Sequence, residues 1–489
     1  MNDNLWYQAL RSRDIRFDGL FFVGVTTTGI YCRPICTART PKKQHCRFFS
    51  HAAAAESEYF RPCLRCRPEI APAYTPWNAH QNLAYQLAQS IRENFLNKDH
   101  SLDDLASEFN LSTRHLRRIL VKEWGVSPVQ LAQTYRLLLA KQLLSQTNLP
   151  IIDIAYASGF SSLRRFNHVL KTHYHLTPTQ LRKNLEPQKI QTHGFKLSLG
   201  YRPPLAWQQL LQFLSHRAIK GIEYVDDQSY KRTLDIDGHK GWVHVTHAPN
   251  GYYLDVEISF SLLPVLSKTL NLLRDFFDLR ARPDIINAYL NQDKRLAKII
   301  QKYPGVRVPG TLNIFELMWR AVLGQKISVK AATTLASRLV EKFGSKFTTP
   351  FQELVQLSPD PKILKTCEPD HLADLGIGFP KAKIIIELAK LCANDETHSF
   401  KFNNLSNSEI FIERILKISG IGPWTAHYIA MRAFRWPDAF LRDDLIVCRM
   451  AGATAKQLEK LSEVWRPWRA YAVMYFWLLA AEPDLVSKN

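Results

Sequence analysis

Two close cysteine pairs, Cys32 and Cys36 in GIYCRPIC and Cys63 and Cys66 in FRPCLRC, constrain this chain more than any other feature. A loop of 26 residues separates them. Such pairs can turn four thiolates toward one tetrahedral cation, and zinc, which has no redox chemistry, suits that soft donor set. The segment that holds them is too short for a large core of its own, so a metal is what would let it fold. Residues 1–75 therefore read as a small zinc domain with one Zn2+ on Cys32, Cys36, Cys63 and Cys66. Taken alone, a closed four-thiolate site is a structural one. Cys46 lies outside both pairs and reads as a spare, buried thiol, while Cys367, Cys392 and Cys448 are scattered through apolar segments.

Beyond this region the patterning changes several times. After a proline-containing connector, EIAPAYTPWN, apolar residues recur at helical spacing in short segments from about 80 to 184. PQKIQTH, residues 187–193, reads as a linker. Between 194 and 260 the pattern alternates, as in KGWVHVTH and GYYLDVEIS, with turns at DIDGH and APNG, which predicts strands. From about 262 to 489 the helical period returns, punctuated by Gly or Pro. The fold class is mainly α and multidomain: a small zinc domain over 1–75, a paired helix-turn-helix domain over 80–186, a small α+β domain over 194–275 and an all-helical domain over 276–489. A chain of 489 residues exceeds what one core usually serves.

Charge narrows the partner. Sixty-four Lys and Arg against 44 Asp and Glu leave a net charge of +20, and the excess is spread over both parts: 24 against 14 in residues 1–186 and 40 against 30 in the rest. A polyanion is the natural complement, because each neutralised phosphate releases condensed counterions. The N-terminus, MNDNLWYQALRSRD, has no secretory pattern, and no window of about eighteen uninterrupted apolar residues occurs. The expectation is a cytoplasmic, nucleoid-associated monomer with no membrane partner.

VTTTGIYCRPIC and FRPCLRCRPE closely resemble the N-terminal domain of the Ada family, the methylphosphotriester-removing module of the bacterial response to alkylation. The resemblance implies that Cys32, besides binding zinc, accepts the methyl group, while Cys36, Cys63 and Cys66 hold the metal. The chemistry is coherent, since zinc keeps a thiol deprotonated and a thiolate is the nucleophile that attacks a methyl carbon.

Next comes SLDDLASEFNLSTRHLRRILVKEWG, with an apolar face at Leu102, Leu105, Ala106, Leu111, Leu116 and Ile119 and Asn110 placed at a tight turn. A second copy follows in LPIIDIAYASGFSSLRRFNHVLKTHYHLTPTQLR, with Gly159 at the turn. Its last helix presents Ser162, Arg164, Arg165, Asn167 and His168 for base edges and phosphates. The segment resembles the AraC-type DNA-binding domain, with His175 where that family usually has a glycine, and promoter DNA is the partner this implies. A plain helical bundle is the alternative.

The third constellation begins at ILKISGIGPWTAHYIAMRAF, where a helix breaks at Ser419-Gly420-Ile421-Gly422 and another starts at Pro423. Glycines at a helix N-terminus expose backbone N–H groups for a phosphate, although a plain helical hairpin would look alike. Downstream, AFLRDDLIV carries Asp443 and Asp444, either of which could simply cap a helix. Together with YRPPLAWQQLLQFLSHRAI, FELMWRAVLGQKISV and WRPWRAYA, these motifs resemble the helix-hairpin-helix DNA glycosylases of the AlkA, 3-methyladenine type over about 195–480. The resemblance implies a catalytic carboxylate at Asp444 and a base pocket of Phe213, Trp424, Tyr428 and Trp477. It also implies DNA contacts at Gln325, Lys326, Gly420, Gly422 and Thr425, with a monovalent cation near Leu416, Ser419 and Ile421. Where the family often has an apolar wedge, this chain has Lys326, whose long stem could intercalate. The expected partner is alkylated double-stranded DNA.

Two other functions fit parts of the pattern. A transcription regulator whose C-terminal half only binds a ligand would lack a carboxylate beside an aromatic pocket. A glycosylase with lyase activity would carry a lysine in the hairpin after the second glycine, at the position where this chain has Trp424.

Overall fold

In the computed structural model of the chain, residues 3–72, 83–93, 101–182, 193–393 and 406–482 are described, with side chains of 406–410 left aside. The connector beyond Pro72 and the linker up to Gln191-Thr192 lie outside them. Contacts divide the molecule into two units, Met1–Pro203 with Ala248–Asn271, and Pro204–His247 with Leu272–Asn489.

The first unit opens with a helix, Asp3–Ser12, and a four-stranded sheet of strands β1 (Phe22–Val25), β2 (Ile30–Cys32), β3 (Cys46–Phe49) and β4 (Arg61–Pro62), in the order β3-β1-β2-β4. Its apolar contents are few, chiefly Phe21, Val23, Tyr31, Phe49 and Phe60, with Trp6 stacked 4.9 Å from Phe21. β2 and β4 pair in parallel with Tyr31 opposite Pro62. Both strands thus deliver a cysteine, Cys32 and Cys63, at the same end of the sheet.

Two helix-turn-helix elements follow. Ser101 and Asp104 form a capping box on Leu102–Glu108, Asn110 makes the turn at φ 54°, and Ser112 caps Thr113–Trp124. The helix Pro128–Gln146 is buried on nearly all sides and serves as the axis of the region. Beyond it, Ile151–Ala157 and Leu163–Tyr174 repeat the motif around Gly159 at φ 80°. His175 adopts φ 54° and closes the second motif as Gly125, at φ 71°, closes the first, each donating its N–H to the carbonyl four residues back. The left-handed cap is therefore kept although its usual glycine is gone. A strand pair, Gly194–Gly200 with Tyr253–Ser259, completes this unit.

The second unit carries an antiparallel meander, Glu223–Val225, Ser229–Ile236 and His239–His247, with Asp237 and Gly238 both at positive φ in the DIDGH turn. Helices make up most of the rest. Buried Arg232 lies between Glu223 at 2.8 Å and Glu316 at 2.5 Å, joining the meander to the helix Ile314–Leu323. The hairpin consists of Ser406–Leu416 and Pro423–Ala433, and Asp444 opens Leu445–Ala451. Helices predominate in both units, as the sequence patterning leads one to expect.

Candidate active site and metal centre

At the end of the small sheet the sulfurs of Cys32, Cys36, Cys63 and Cys66 lie within 4.8 Å of one another. Zn–S bonds of ~2.3 Å in a tetrahedron require sulfurs about 3.8 Å apart, so little closure separates this cluster from a zinc site. The backbone N–H of Arg33 donates to Cys66 Sγ at 3.3 Å, and its guanidinium, buried against Asp18, donates to the Cys66 carbonyl at 3.0 Å. Hydrogen bonds from the other three thiols hold Cys63 well below the usual thiol range, whereas the same sharing pushes Cys32 and Cys66 up. The Cys32 thiol beside it likewise draws Cys36 down to about 7, so the cluster ionises two thiols at the expense of the other two. Only a cation among them lets all four become thiolates, and the donor set fits zinc. Cys46 stands outside the cluster, as its spacing suggests, but it is half-buried rather than buried. It lies on β3, an edge strand of the sheet, and donates only to the Lys42 carbonyl at 3.4 Å.

In the second unit a cavity of about 410 Å³ is lined by Phe213, Trp424, Tyr428, Trp477 and Asp444. These residues come from four separate stretches of sequence. Trp424 and Tyr428, one turn apart on the helix Pro423–Ala433, stack at 5.2 Å, and Phe213 and Trp477 face each other nearly parallel at 6.3 Å. Asp444 is only 7% exposed. It caps the helix Leu445–Ala451 by accepting from the N–H groups of Ile446 at 3.0 Å and Val447 at 2.9 Å. Both indoles also donate to it, Trp424 to Oδ2 and Trp477 to Oδ1, each at 3.2 Å. Four donors thus fix one carboxylate in an aromatic wall. Asp443, by contrast, is exposed and pairs with Arg442.

Gly420, at φ 93°, turns the hairpin where an added Cβ would meet Ile384 Cδ1 at 2.5 Å, so the position demands glycine. Gly422 precedes Pro423 as the N-cap, and Thr425 is buried. Gln325 binds the hairpin instead of standing free: its amide donates to the Gly420 carbonyl at 3.0 Å and to Thr425 Oγ1 at 3.1 Å. Lys381 secures the same loop through the carbonyls of Leu323 and Gln325, both at 2.8 Å. Lys326 sits exposed at the tip with φ 57°, and the next residue, Ile327, is exposed and borders the cavity. In the first unit Arg164 and Arg165 are exposed on Leu163–Tyr174, beside exposed Asn167 and His168.

Two arginines at the cavity escaped the sequence reading. The guanidinium carbon of Arg217 lies 3.8 Å from the Phe213 ring centre, and Arg432 donates to the Tyr428 hydroxyl at 2.9 Å. The signal was present, since each arginine follows its aromatic by four residues. Burial pushes Tyr428 up, but Arg432 and Arg217 outweigh it and the phenol lies below its usual range.

Four family models cover most of the chain: the metal binding domain of Ada over 6–69, a helix-turn-helix domain over 105–184, the AlkA N-terminal domain over 196–313, and the HhH-GPD superfamily base excision DNA repair protein over 319–467. A solved 3-methyladenine DNA-glycosylase from Archaeoglobus fulgidus superposes with a TM-score of 0.51 at 19% identity, covering 59% of this chain and 99% of that one. At that identity the likeness concerns the fold alone. Fold and site together define a helix-hairpin-helix base-excision protein joined to an Ada-type metal domain and a helix-turn-helix domain. DNA-3-methyladenine glycosylase 2 of Escherichia coli is 32% identical over 289 residues, which is 59% of this chain and 99% of that protein. A "probable bifunctional transcriptional activator/DNA repair enzyme AlkA" of Mycobacterium tuberculosis is 35% identical over 488 residues, covering 98% of this chain and 96% of its own. The chain belongs to this family of bifunctional transcriptional activator/DNA repair enzymes.

Proposed function

We propose that this protein repairs alkylated double-stranded DNA by two chemistries: hydrolysis of the N-glycosidic bond of 3-methyladenine-type bases in the second unit, and acceptance of a methyl group from methylphosphotriesters in the first. The observation that carries the first is Asp444, a nearly buried carboxylate held by two backbone and two indole N–H groups in a wall of rings. As the bond from C1′ to the base nitrogen breaks, its electron pair leaves with the base and positive charge grows on the sugar. A fixed carboxylate stabilises that charge and aids the water that adds to C1′. Phe213, Trp424, Tyr428 and Trp477 offer stacking faces to a base flipped out of the duplex. Gly420, Gly422 and Thr425 supply hairpin amides for a phosphate, and carbonyls near Leu416, Ser419 and Ile421 suit a monovalent cation. Ile327, beside Lys326 on the tethered loop, adds the apolar surface that fills the gap in the duplex.

In the first unit Cys32 is the methyl acceptor. Its sulfur forms a bond to the methyl carbon while the bond between that carbon and the phosphate oxygen breaks, and the phosphodiester leaves as an anion. Zinc, when bound, keeps the four sulfurs deprotonated. Arg164 and Arg165 face promoter DNA, and the protein acts as a cytoplasmic monomer. Zinc-loaded protein incubated with methylated DNA tests both chemistries at once. Free methylated base and methyl label on Cys32 are the expected products, with an intact abasic strand. Efficient trapping of an enzyme–DNA adduct by borohydride would instead favour a lyase.

A further inference from the structure

Exposed apolar side chains gather on two elements at the mouth of the aromatic cavity. Ile327 and Val329 are 38% and 42% exposed, Ile446 is 41% exposed, and all three line the cavity. Leu445, the residue before Ile446, is 85% exposed. A single apolar side chain in water is ordinary, but several round one opening mark a surface that meets a partner. Leu445 is also firmly held: it is the first residue of the helix Leu445–Ala451, whose next two N–H groups donate to Asp444. Cations flank the patch. Lys326 precedes Ile327, Lys330 follows Val329 and Arg449 stands one turn from Leu445, all three exposed, while the nearby acid Asp443 is paired with Arg442. Apolar groups set among cations suit a ligand that carries phosphates outside and base faces within.

We infer that Leu445 is a second wedge, which enters the duplex beside the extruded nucleotide so that the gap is held from two elements, by Ile327 on one and Leu445 on the other. The inference rests on the base-excision reading. Swinging a base out of the helix breaks its stacking on both sides, and an apolar side chain that takes its place slows its return. With Asp444 at the sugar of that nucleotide, the next residue in sequence is well placed to do this. Consecutive Cα atoms are about 3.8 Å apart, near the rise of about 3.4 Å per nucleotide, so Leu445 reaches the adjoining base step. One capped helix start then supplies both the charge for the sugar and the plug for the stack. Leu445 acts on extrusion and not on bond breaking. Its removal matters most where the lesion is stacked and paired, and least where the stack is already open.

The test is single-turnover release of 7-methylguanine from two duplexes, one with the lesion paired with cytosine and one with it in a single-nucleotide bulge. Leu445→Ala should slow release from the paired duplex by about 10-fold or more and from the bulged one by less than about 3-fold, and Leu445→Met should bring paired release back to within about 3-fold of wild type. A second readout needs no chemistry. The fluorescence of 2-aminopurine next to an abasic-site analogue should rise on saturation with wild-type protein, and about half as far or less with Leu445→Ala. Equal slowing on both duplexes would mean that Leu445 only supports the Asp444 cap, and unchanged release from the paired duplex that it stays out of the stack; either result overturns the inference. Retained release from the bulge shows the variant to be folded. Failure of wild-type protein on both duplexes would strike the base-excision reading itself, and the aminopurine signal then decides on Leu445 alone.

Discussion

Asp444 does two things with one side chain: it caps a helix and presents charge to a cavity. Asparagine can still cap the helix but carries no charge. Asp444→Asn should therefore reduce base release by ~10²-fold or more while affinity for abasic-site DNA changes little, whereas Asp443→Asn should retain most activity. Wild-type release from Asp444→Asn would refute its catalytic role. A second buried carboxylate, Glu56, accepts from Tyr31 at 3.0 Å, Tyr174 at 3.0 Å and Thr134 at 2.8 Å. Burial pushes it up to about 7, although these hydrogen bonds and Lys141 pull the other way. Between its ordinary value of 4.5 and 7 the folded chain then holds more protons at this site than the unfolded chain. Stability from this group is present at low pH and falls as pH rises through that window, by on the order of 3 kcal/mol. Glu56→Gln removes the titration, so the stability of wild type minus that of the variant should decline from pH 4.5 to 7. Metal loss at low pH affects both proteins and cancels in the difference. A flat difference would show that Glu56 is ionised throughout.

At the scale of elements, the second helix-turn-helix ends on a residue that costs stability. His175 holds φ 54°, a conformation glycine adopts freely, and the equivalent cap of the first motif is Gly125. His175→Gly should stabilise the protein against denaturant by about 0.5–1 kcal/mol. A decrease would mean that the imidazole makes a contact worth more than the strain it imposes. The loop between Leu323 and Val329 follows a different logic. Gln325 and Lys381 tie it down on two sides, so that Lys326 and Ile327, the residues proposed to meet DNA, stand on a loop that is already held in place.

For the whole molecule, the residues proposed for the two chemistries lie in different compact units, Cys32 in the first and Asp444 in the second. They should separate cleanly by mutation. Cys32→Ser is expected to abolish methyl acceptance and leave base release within about 2-fold of wild type, and Asp444→Asn to do the reverse. Labelled-methyl transfer and free-base assays on one preparation check both. Loss of base release in Cys32→Ser, with zinc still bound, would show that the two activities depend on each other.

The amino-acid sequence alone determined the families of the modules and pointed to the residues on which the proposed chemistry rests. Cysteine spacing, helical and alternating periods, and glycine breaks are local signals, and the metal set, both helix-turn-helix motifs, the meander and the hairpin could be read from them. Asp444 was legible through its motif, but not the reason it is well held, because its partners Trp424 and Trp477 lie 20 and 33 residues away. Folding also decided that Gln325 binds the hairpin, that Cys46 is half-buried on an edge strand, and that Arg217 reaches an aromatic cavity. Each of these depends on which segments pack together, and a one-dimensional pattern records periodicity along the chain but not the neighbours that long-range packing supplies.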